Sequence, residues 1–248
     1  AKPIATLSGS NTVCIGTSIN ITPSTGGTWV SSNSSVASID NEGLITGVSV
    51  GSATFTYTST STGCISNPSS TVTVSTRPSA SISGSTSLCI GTTSTLIPSS
   101  GGVWVSSNPA VASVDGSGVV TGLSNGTAHF TFTQYTTGCS SDATNNIIVN
   151  EKPIVSITGA TSVCLGFSTT ISPTTGGTWV SSNTNVATVT NSGVVTGIAP
   201  GTATFVYTLN ATNCISNATG LITVNALPVP NVTGGTSICN GTTTTLSP

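Results

Sequence analysis

Cysteine is the residue type in this chain with the most restrictive chemistry, because a thiol at a fixed spacing either ligates a metal or forms a disulfide. The seven cysteines alternate spacings of 50 and 25 residues, at Cys14, Cys64, Cys89, Cys139, Cys164, Cys214 and Cys239. A structural zinc site needs four clustered ligands, usually with close Cys-x-x-Cys pairs, and no two cysteines here are closer than 25 residues. The spacing therefore predicts structural disulfides and no metal site, and disulfides indicate an oxidising compartment.

The cysteine spacing is part of a repeat of 75 residues that runs through the whole chain. The tryptophans follow the same step, and a proline opens each copy, at Pro3, Pro78, Pro153 and Pro228. A fixed period of this kind indicates an array of small modules. We predict repeat 1 at residues 1–77, repeat 2 at 78–152, repeat 3 at 153–227 and the start of a truncated repeat 4 at 228–248, all cut from a longer protein.

Repeat 2 shows the secondary structure signals most clearly. Polar and apolar residues alternate with a period of two, β-branched residues are frequent, and turn pairs such as Asp115-Gly116 and Asn125-Gly126 separate short apolar runs. Strands are predicted at residues 81–83, 92–97, 102–106, 111–114, 119–121, 128–132 and 146–149. The pattern predicts an all-β chain of tandem immunoglobulin-like β-sandwich domains, and the short proline-containing linkers predict that these form an elongated rod.

The tryptophans are the candidate core residues. An aromatic side chain at the same place in every copy, in a strand that also carries valine, is more often part of a core than a platform for stacking sugars. We therefore expect Trp29, Trp104 and Trp179 to lie in the cores of the three repeats.

Two disulfide registers fit the period. Pairing within the repeats joins Cys14 to Cys64, Cys89 to Cys139 and Cys164 to Cys214, and leaves Cys239 for a partner beyond this chain. Pairing between neighbours joins Cys14 to Cys139 and Cys89 to Cys214; topology favours it, because the two cysteines of one sandwich lie at opposite poles, about 20 Å apart. A bridge within a 75-residue repeat would stabilise its marginal core by about 4 kcal/mol. We expect the bridges to lie within the repeats, as in most tandem domains.

The other residue types offer little chemistry. The chain has three basic residues, five acidic residues and a net charge of −2, so it lacks the clusters that nucleic-acid binding needs. The single histidine, His129, stands where the other copies have threonine, and a general base needs an oriented partner and a pocket. The acidic residues are too scattered to hold calcium. We expect no catalytic residue, no cofactor and no enzyme activity, and the absence of a long apolar run predicts no membrane insertion by this segment.

Four short motifs carry a resemblance to a known family. In repeat 1 they are residues 27–33 (Gly-Thr-Trp-Val-Ser-Ser-Asn), 36–40 (Val-Ala-Ser-Ile-Asp), 43–47 (Gly-Leu-Ile-Thr-Gly) and 51–55 (Gly-Ser-Ala-Thr-Phe), and they recur in all three copies. The chain thereby resembles the group 2 bacterial immunoglobulin-like domain. Its paired cysteines are similar to those of repeats in giant surface proteins of gliding Bacteroidota. This resemblance implies export through the type IX route and a role in adhesion.

Three functions are compatible with these features. The first is a structural stalk or spacer of a large extracellular adhesin, which projects an adhesive region from the cell surface and whose partners are other copies of the repeat in the same chain. The second is a repeat that itself binds polysaccharide or another surface. The third is a segment of an extracellular filament in which copies pack laterally or exchange strands. The low charge and the lack of a recurring site favour the spacer.

Overall fold

The computed structural model describes residues 1–229 and 237–243 of the chain. It contains two compact units, of which the first spans residues 1–150 and the second begins at Glu151. All regular secondary structure in the described residues is β-strand. The predicted all-β class is therefore confirmed, whereas most of the truncated repeat 4, at residues 230–236 and 244–248, lies outside the described residues.

Each of the three repeats contains nine short strands. Repeat 1 has β1 (Thr6–Ser8), β2 (Thr12–Cys14), β3 (Ser18–Thr22), β4 (Gly27–Ser31), β5 (Ala37–Ile39), β6 (Leu44–Gly47), β7 (Gly51–Ala53), β8 (Phe55–Ser59) and β9 (Val72–Ser75). Repeat 2 has β10 (Ser81–Ile82), β11 (Ser87–Cys89), β12 (Thr93–Ile97), β13 (Gly102–Ser106), β14 (Ala112–Val114), β15 (Val119–Gly122), β16 (Gly126–Ala128), β17 (Phe130–Gln134) and β18 (Ile147–Asn150). Repeat 3 has β19 (Ser156–Ile157), β20 (Ser162–Cys164), β21 (Ser168–Ser172), β22 (Gly177–Ser181), β23 (Ala187–Val189), β24 (Val194–Gly197), β25 (Gly201–Ala203), β26 (Phe205–Leu209) and β27 (Ile222–Asn225).

The strands of repeat 1 form two layers around one core. One layer is the antiparallel sheet β1-β3-β6-β5, and the other is built from β2-β9-β7 and the pair β4-β8. Repeats 2 and 3 have the same strand order. This is an immunoglobulin-like sandwich, as the sequence predicted.

The predicted strand 128–132 is wrong in one respect, because the structure divides it at His129 into β16 and β17. β16 pairs with β18, whereas β17 pairs with β13. At the division the His129 amide donates to Oγ of Ser107 and the Ser107 amide donates to the His129 carbonyl. The chain therefore passes from one sheet to the other at this residue, and its side chain lies exposed.

A three-residue strand that the sequence reasoning missed brings each repeat's first cysteine to the end of the module. β2 runs parallel to β9, with Cys14 opposite Ser75, and β11 and β18 repeat this pairing in repeat 2. Only three residues long, β2 is too short to show alternation, and its partner lies about 60 residues away in sequence. Pairing with β9 places Cys14 where the chain leaves repeat 1.

The tryptophans lie in the three cores and are only 5–6% exposed. Trp29 packs against the ring of Tyr57 at 5.1 Å between centroids, and its indole N–H donates to the Pro23 carbonyl at 2.9 Å. Burial of an aromatic with its polar atom satisfied combines apolar transfer with a hydrogen bond. Trp104 and Trp179 make the corresponding contacts in repeats 2 and 3.

Close packing of two strands requires the glycine two positions before each tryptophan. A Cβ atom at Gly27 would lie 2.2 Å from the Thr58 carbonyl oxygen and 2.3 Å from the ring of Tyr57. Only glycine lets β4 come this close to β8 above the aromatic ring. The Gly-x-Trp motif is therefore part of the core.

Candidate functional site at the junction of repeats 1 and 2

The two cysteines of repeat 1 lie at opposite ends of the sandwich. We call the end that holds Cys14 and Ser75 the lower pole, and the end that holds the turn after β8, with Cys64, the upper pole. Gly51 pairs with Val74 near the lower pole, and from there the chain runs upwards to Ser59. Eight residues of extended chain span about 26 Å.

A disulfide between Cys14 and Cys139 joins the lower pole of repeat 1 to the upper pole of repeat 2. The two Cα atoms are 5.6 Å apart, which is within the ordinary range for such a bond. The bond spans 125 residues of sequence. Cys139 is completely buried, whereas Cys14 is partly exposed.

The expected pairing within repeats is wrong. Cys64 and Cys164 are free, and Cys14 is bonded to Cys139. The physical reason is the distance between the poles, since a disulfide requires Cα atoms within about 7 Å of each other. Pairing between neighbours is the register found at Cys14.

The remaining cysteines divide into two groups. Cys89 and Cys214 are disulfide-bonded, and their pairing with each other stays a prediction from the sequence. Cys64, Cys164 and Cys239 are free in the described part of the chain, and the partner of Cys239 was expected to lie beyond this chain.

Threonine side chains hold both bonded cysteines in place. The Cys14 amide donates to Oγ1 of Thr17 at 3.1 Å, and that hydroxyl donates back to the Cys14 carbonyl at 3.0 Å. In repeat 2 the Cys139 amide donates to Oγ1 of Thr137, and the Cys139 carbonyl accepts the Gln134 amide at 2.9 Å. The backbone on both sides of the disulfide is thus fixed by hydrogen bonds within its own repeat.

Arg77, in the linker, makes a second set of contacts at the same junction. Its guanidinium donates from Nε to the Ser140 carbonyl at 2.9 Å and from Nη2 to the Ser141 carbonyl at 3.2 Å. Its Nη1 lies 2.7 Å from a carboxylate oxygen of Asp142. Arg77 therefore connects the linker to residues 140–142, which come immediately after Cys139.

Asp115, one of the acidic residues that could suggest a metal site, acts in a turn instead. Oδ1 of Asp115 accepts the Val119 amide at 2.8 Å and the Ser117 amide and hydroxyl, and these donors hold the pKa of the carboxyl below its usual range. Thr190 takes the same place in repeat 3 and accepts the Val194 amide through its hydroxyl. Because a hydroxyl performs the same task, the position serves the turn.

No three His, Cys, Asp or Glu side chains in residues 1–229 and 237–243 are grouped so that they could hold a metal ion. Those residues also include no helix with the length and hydropathy of a membrane span.

The comparisons with solved structures give distant similarities at low TM-scores. Domains 1–6 of the surface layer protein SbsC are 16% identical over 94% of this chain, with a TM-score of 0.26. Invasin, described as a bacterial integrin-binding protein, is 15% identical over 90% of this chain and 59% of its own, with a TM-score of 0.37. A C-terminal fragment of intimin in complex with the intimin-binding domain of its translocated receptor is 15% identical over 57% of this chain and 60% of its own, with a TM-score of 0.33. The chain covers 41% of the SbsC fragment.

No curated protein matches the chain. The sequence profile of the bacterial Ig-like domain, group 2, matches residues 4–64 and 69–145, which is more than half of the chain. These segments contain Gly27, Trp29, Trp104 and Asp115, whose contacts are described above. The chain belongs to the bacterial Ig-like domain family, group 2.

Proposed function

We propose that this chain is a structural spacer segment of a large extracellular adhesin, in which covalently linked repeats project an adhesive region from the cell surface. The observation that carries the proposal is the Cys14–Cys139 disulfide, because it joins consecutive repeats end to end. A bond at this place restricts bending between repeats 1 and 2, which is useful in a spacer. It also requires an oxidising compartment, which supports an extracellular location.

The positions of the aromatic residues support a spacer over a polysaccharide-binding repeat. The tryptophans that recur in every copy are buried. The exposed aromatics Tyr135, at 70%, and Phe167, at 63%, stand at different positions of their repeats and are not repeated. A sugar platform that used the period of the array would need exposed rings at equivalent positions.

Two finer parts of the proposal come from the sequence. The repeat boundaries after residues 77, 152 and 227 are those of the 75-residue period. Export through the type IX route and a role in gliding motility are what the cysteine pattern implies by its similarity to surface proteins of gliding Bacteroidota.

Two measurements on the oxidised chain test the spacer. Small-angle X-ray scattering should give a radius of gyration well above the value of about 18 Å expected for a compact chain of this length. A screen against cell-surface glycans should give no saturable binding. A compact particle would contradict the rod, and saturable glycan binding would instead identify a repeat that binds polysaccharide directly.

A further inference from the structure

Two covalent connections leave the lower pole of repeat 1 side by side. One is the polypeptide itself, which passes from Ser75 through the linker into repeat 2. The other is the disulfide from Cys14 to Cys139. The backbone ladder between β2 and β9 connects these two exits, because Cys14 lies opposite Ser75.

In the absence of the disulfide, the ladder between the first and last parts of repeat 1 would be loaded in shear when the chain is pulled. β2 and β9 are parallel, with the Ile15 amide donating to the Ser75 carbonyl at 3.0 Å and the Thr73 amide donating to the Asn11 carbonyl at 2.8 Å. Tension applied towards the two chain ends draws such strands along each other, so that all their hydrogen bonds resist together. The disulfide lies at the end of β2 and acts in parallel with them.

In repeat 2 the tension that enters at Cys139 has a short route to the exit. The segment from Cys139 to Asn150 is held along β17 by the Ser141 and Thr144 amides, which donate to the Phe132 and Phe130 carbonyls. It then enters β18, which pairs with β11 and β16. This segment passes from the upper to the lower pole without entering β12 to β15.

We propose that the Cys14–Cys139 disulfide is a force bypass, which carries tension from β2 of repeat 1 directly into the last strand of repeat 2. The residues between the two cysteines then bear no end-to-end load, and this part of the chain contains most of both cores. The inference deepens the proposed spacer function and rests on it for the source of the load. Its consequence is a spacer of fixed length, since the repeats stay folded at tensions that would otherwise unfold them.

Single-molecule force spectroscopy on the full chain tests the bypass. Handles are attached at Ala1 and, through an azide-bearing residue, at exposed Glu151, so that cysteine chemistry is not needed. With the bond intact, only the segments before Cys14 and after Cys139 can lengthen. In the Cys14→Ser/Cys139→Ser variant we expect an additional release of about 430 Å, because the 125 residues of the loop extend at about 3.4 Å each.

The matched control is Cys64→Ser/Cys164→Ser, which removes two free cysteines and should extend as the unchanged chain does. Release of the full length from the oxidised, unchanged chain would overturn the bypass, whether the bond fails to form or the load avoids it. That result would leave the spacer function intact. Saturable glycan binding together with a short extension would reject the spacer and retain the bypass.

Discussion

The upper poles of repeats 1 and 2 have the same fold but different contacts. In repeat 2 the pole is bonded to a neighbour, with Cys139 completely buried and Arg77 attached to the residues that follow it. In repeat 1 the equivalent residues are Cys64, which is free and partly exposed, and Lys2, which makes one exposed hydrogen bond to Asn67 at 3.3 Å. The difference shows which features of the pole belong to the module and which belong to the junction.

One hydrogen bond within the module distinguishes the upper pole of repeat 1 from that of repeat 2. In repeat 1 the Tyr57 hydroxyl donates to the Thr25 carbonyl, and the Thr60 hydroxyl donates to the Gly26 carbonyl at 2.9 Å. In repeat 2 Phe132 replaces the tyrosine and has no hydroxyl. Repeat 3 has both features, because the Tyr207 hydroxyl donates to the Thr175 carbonyl and Cys214 is disulfide-bonded. The tyrosine hydrogen bond and the bonded cysteine therefore vary independently among the repeats.

The largest expected effect comes from substituting the same cysteine position in the two repeats. Cys139→Ser opens a loop of 125 residues, which the chain-entropy relation equates with a loss of about 5 kcal/mol in the free energy of unfolding. Cys64→Ser removes a free thiol and should leave the free energy within about 0.5 kcal/mol of its starting value. Denaturant unfolding followed by tryptophan fluorescence measures both variants.

A thiol titration under native conditions checks the register behind this prediction. The oxidised chain should show three free thiols, Cys139→Ser one more and Cys64→Ser one fewer. A non-reducing peptide map should contain a peptide that joins Cys14 to Cys139. Equal destabilisation by the two substitutions, or a single free thiol in the unchanged chain, would restore the pairing within repeats.

The sequence predicted best those features that depend on residues close together in the chain. Within the predicted strand 128–132, alternation with a period of two places Phe130 and Phe132 inside, and this pattern can be seen in the local sequence. The register of Cys14 depended on β2, whose parallel partner β9 is distant in sequence, and no local pattern reveals that pairing. The opposite poles of one sandwich favour the register found at Cys14, and this chain differs from most tandem domains in closing that bond between repeats.

The contact of Arg77 was also beyond reach of the sequence. No local pattern marks Arg77 as a contact residue, because the carbonyls that it binds lie more than 60 residues further along the chain. Lys2 occupies the same place and has only Asn67 as a partner. The 75-residue period shows that Lys2 and Arg77 are equivalent positions. The contact is stronger in repeat 2 because an arginine faces Asp142 there, whereas a lysine faces Asn67 in repeat 1.

The second prediction exchanges the aromatic residues of the two poles. Tyr57→Phe should lower the free energy of unfolding by about 1 kcal/mol, because the part-buried hydrogen bond from the Tyr57 hydroxyl to the Thr25 carbonyl is lost. Phe132→Tyr should raise it by up to about 1 kcal/mol, since the period places the Ser100 carbonyl where Thr25 lies in repeat 1. Thermal unfolding of both variants measures the effect, and destabilisation by Phe132→Tyr would contradict the equivalence of the two poles.

The third prediction concerns the basic residue at each pole. Arg77→Ala should cost about 0.5–1 kcal/mol, a value kept small because Arg77 is 40% and Asp142 85% exposed. Amide hydrogen exchange at residues 139–142 should rise more clearly than the global stability falls. Lys2→Ala should change neither the stability nor the amide exchange. An equal rise in exchange at residues 64–67 in that variant would show that the contacts of the basic residue are not specific to the junction of repeats 1 and 2.

The smallest expected difference lies in the turn between β14 and β15, where Ser117 of repeat 2 stands at the position of Glu42 in repeat 1. The Val119 amide and the Ser117 hydroxyl hold the pKa of Asp115 below its usual range in the folded protein. Since the folded pKa is the lower one, the contribution of this carboxylate to stability is complete above the unfolded pKa, near 3.9, and is lost as the pH falls through the folded value. An NMR titration of the Asp115 carboxyl carbon should show this low pKa, and Ser117→Ala should raise it towards the ordinary value because one donor is removed. An unchanged pKa in Ser117→Ala would assign the shift to the backbone amides of the turn, chiefly that of Val119, and the serine hydroxyl would then have no part in distinguishing the turns of the two repeats.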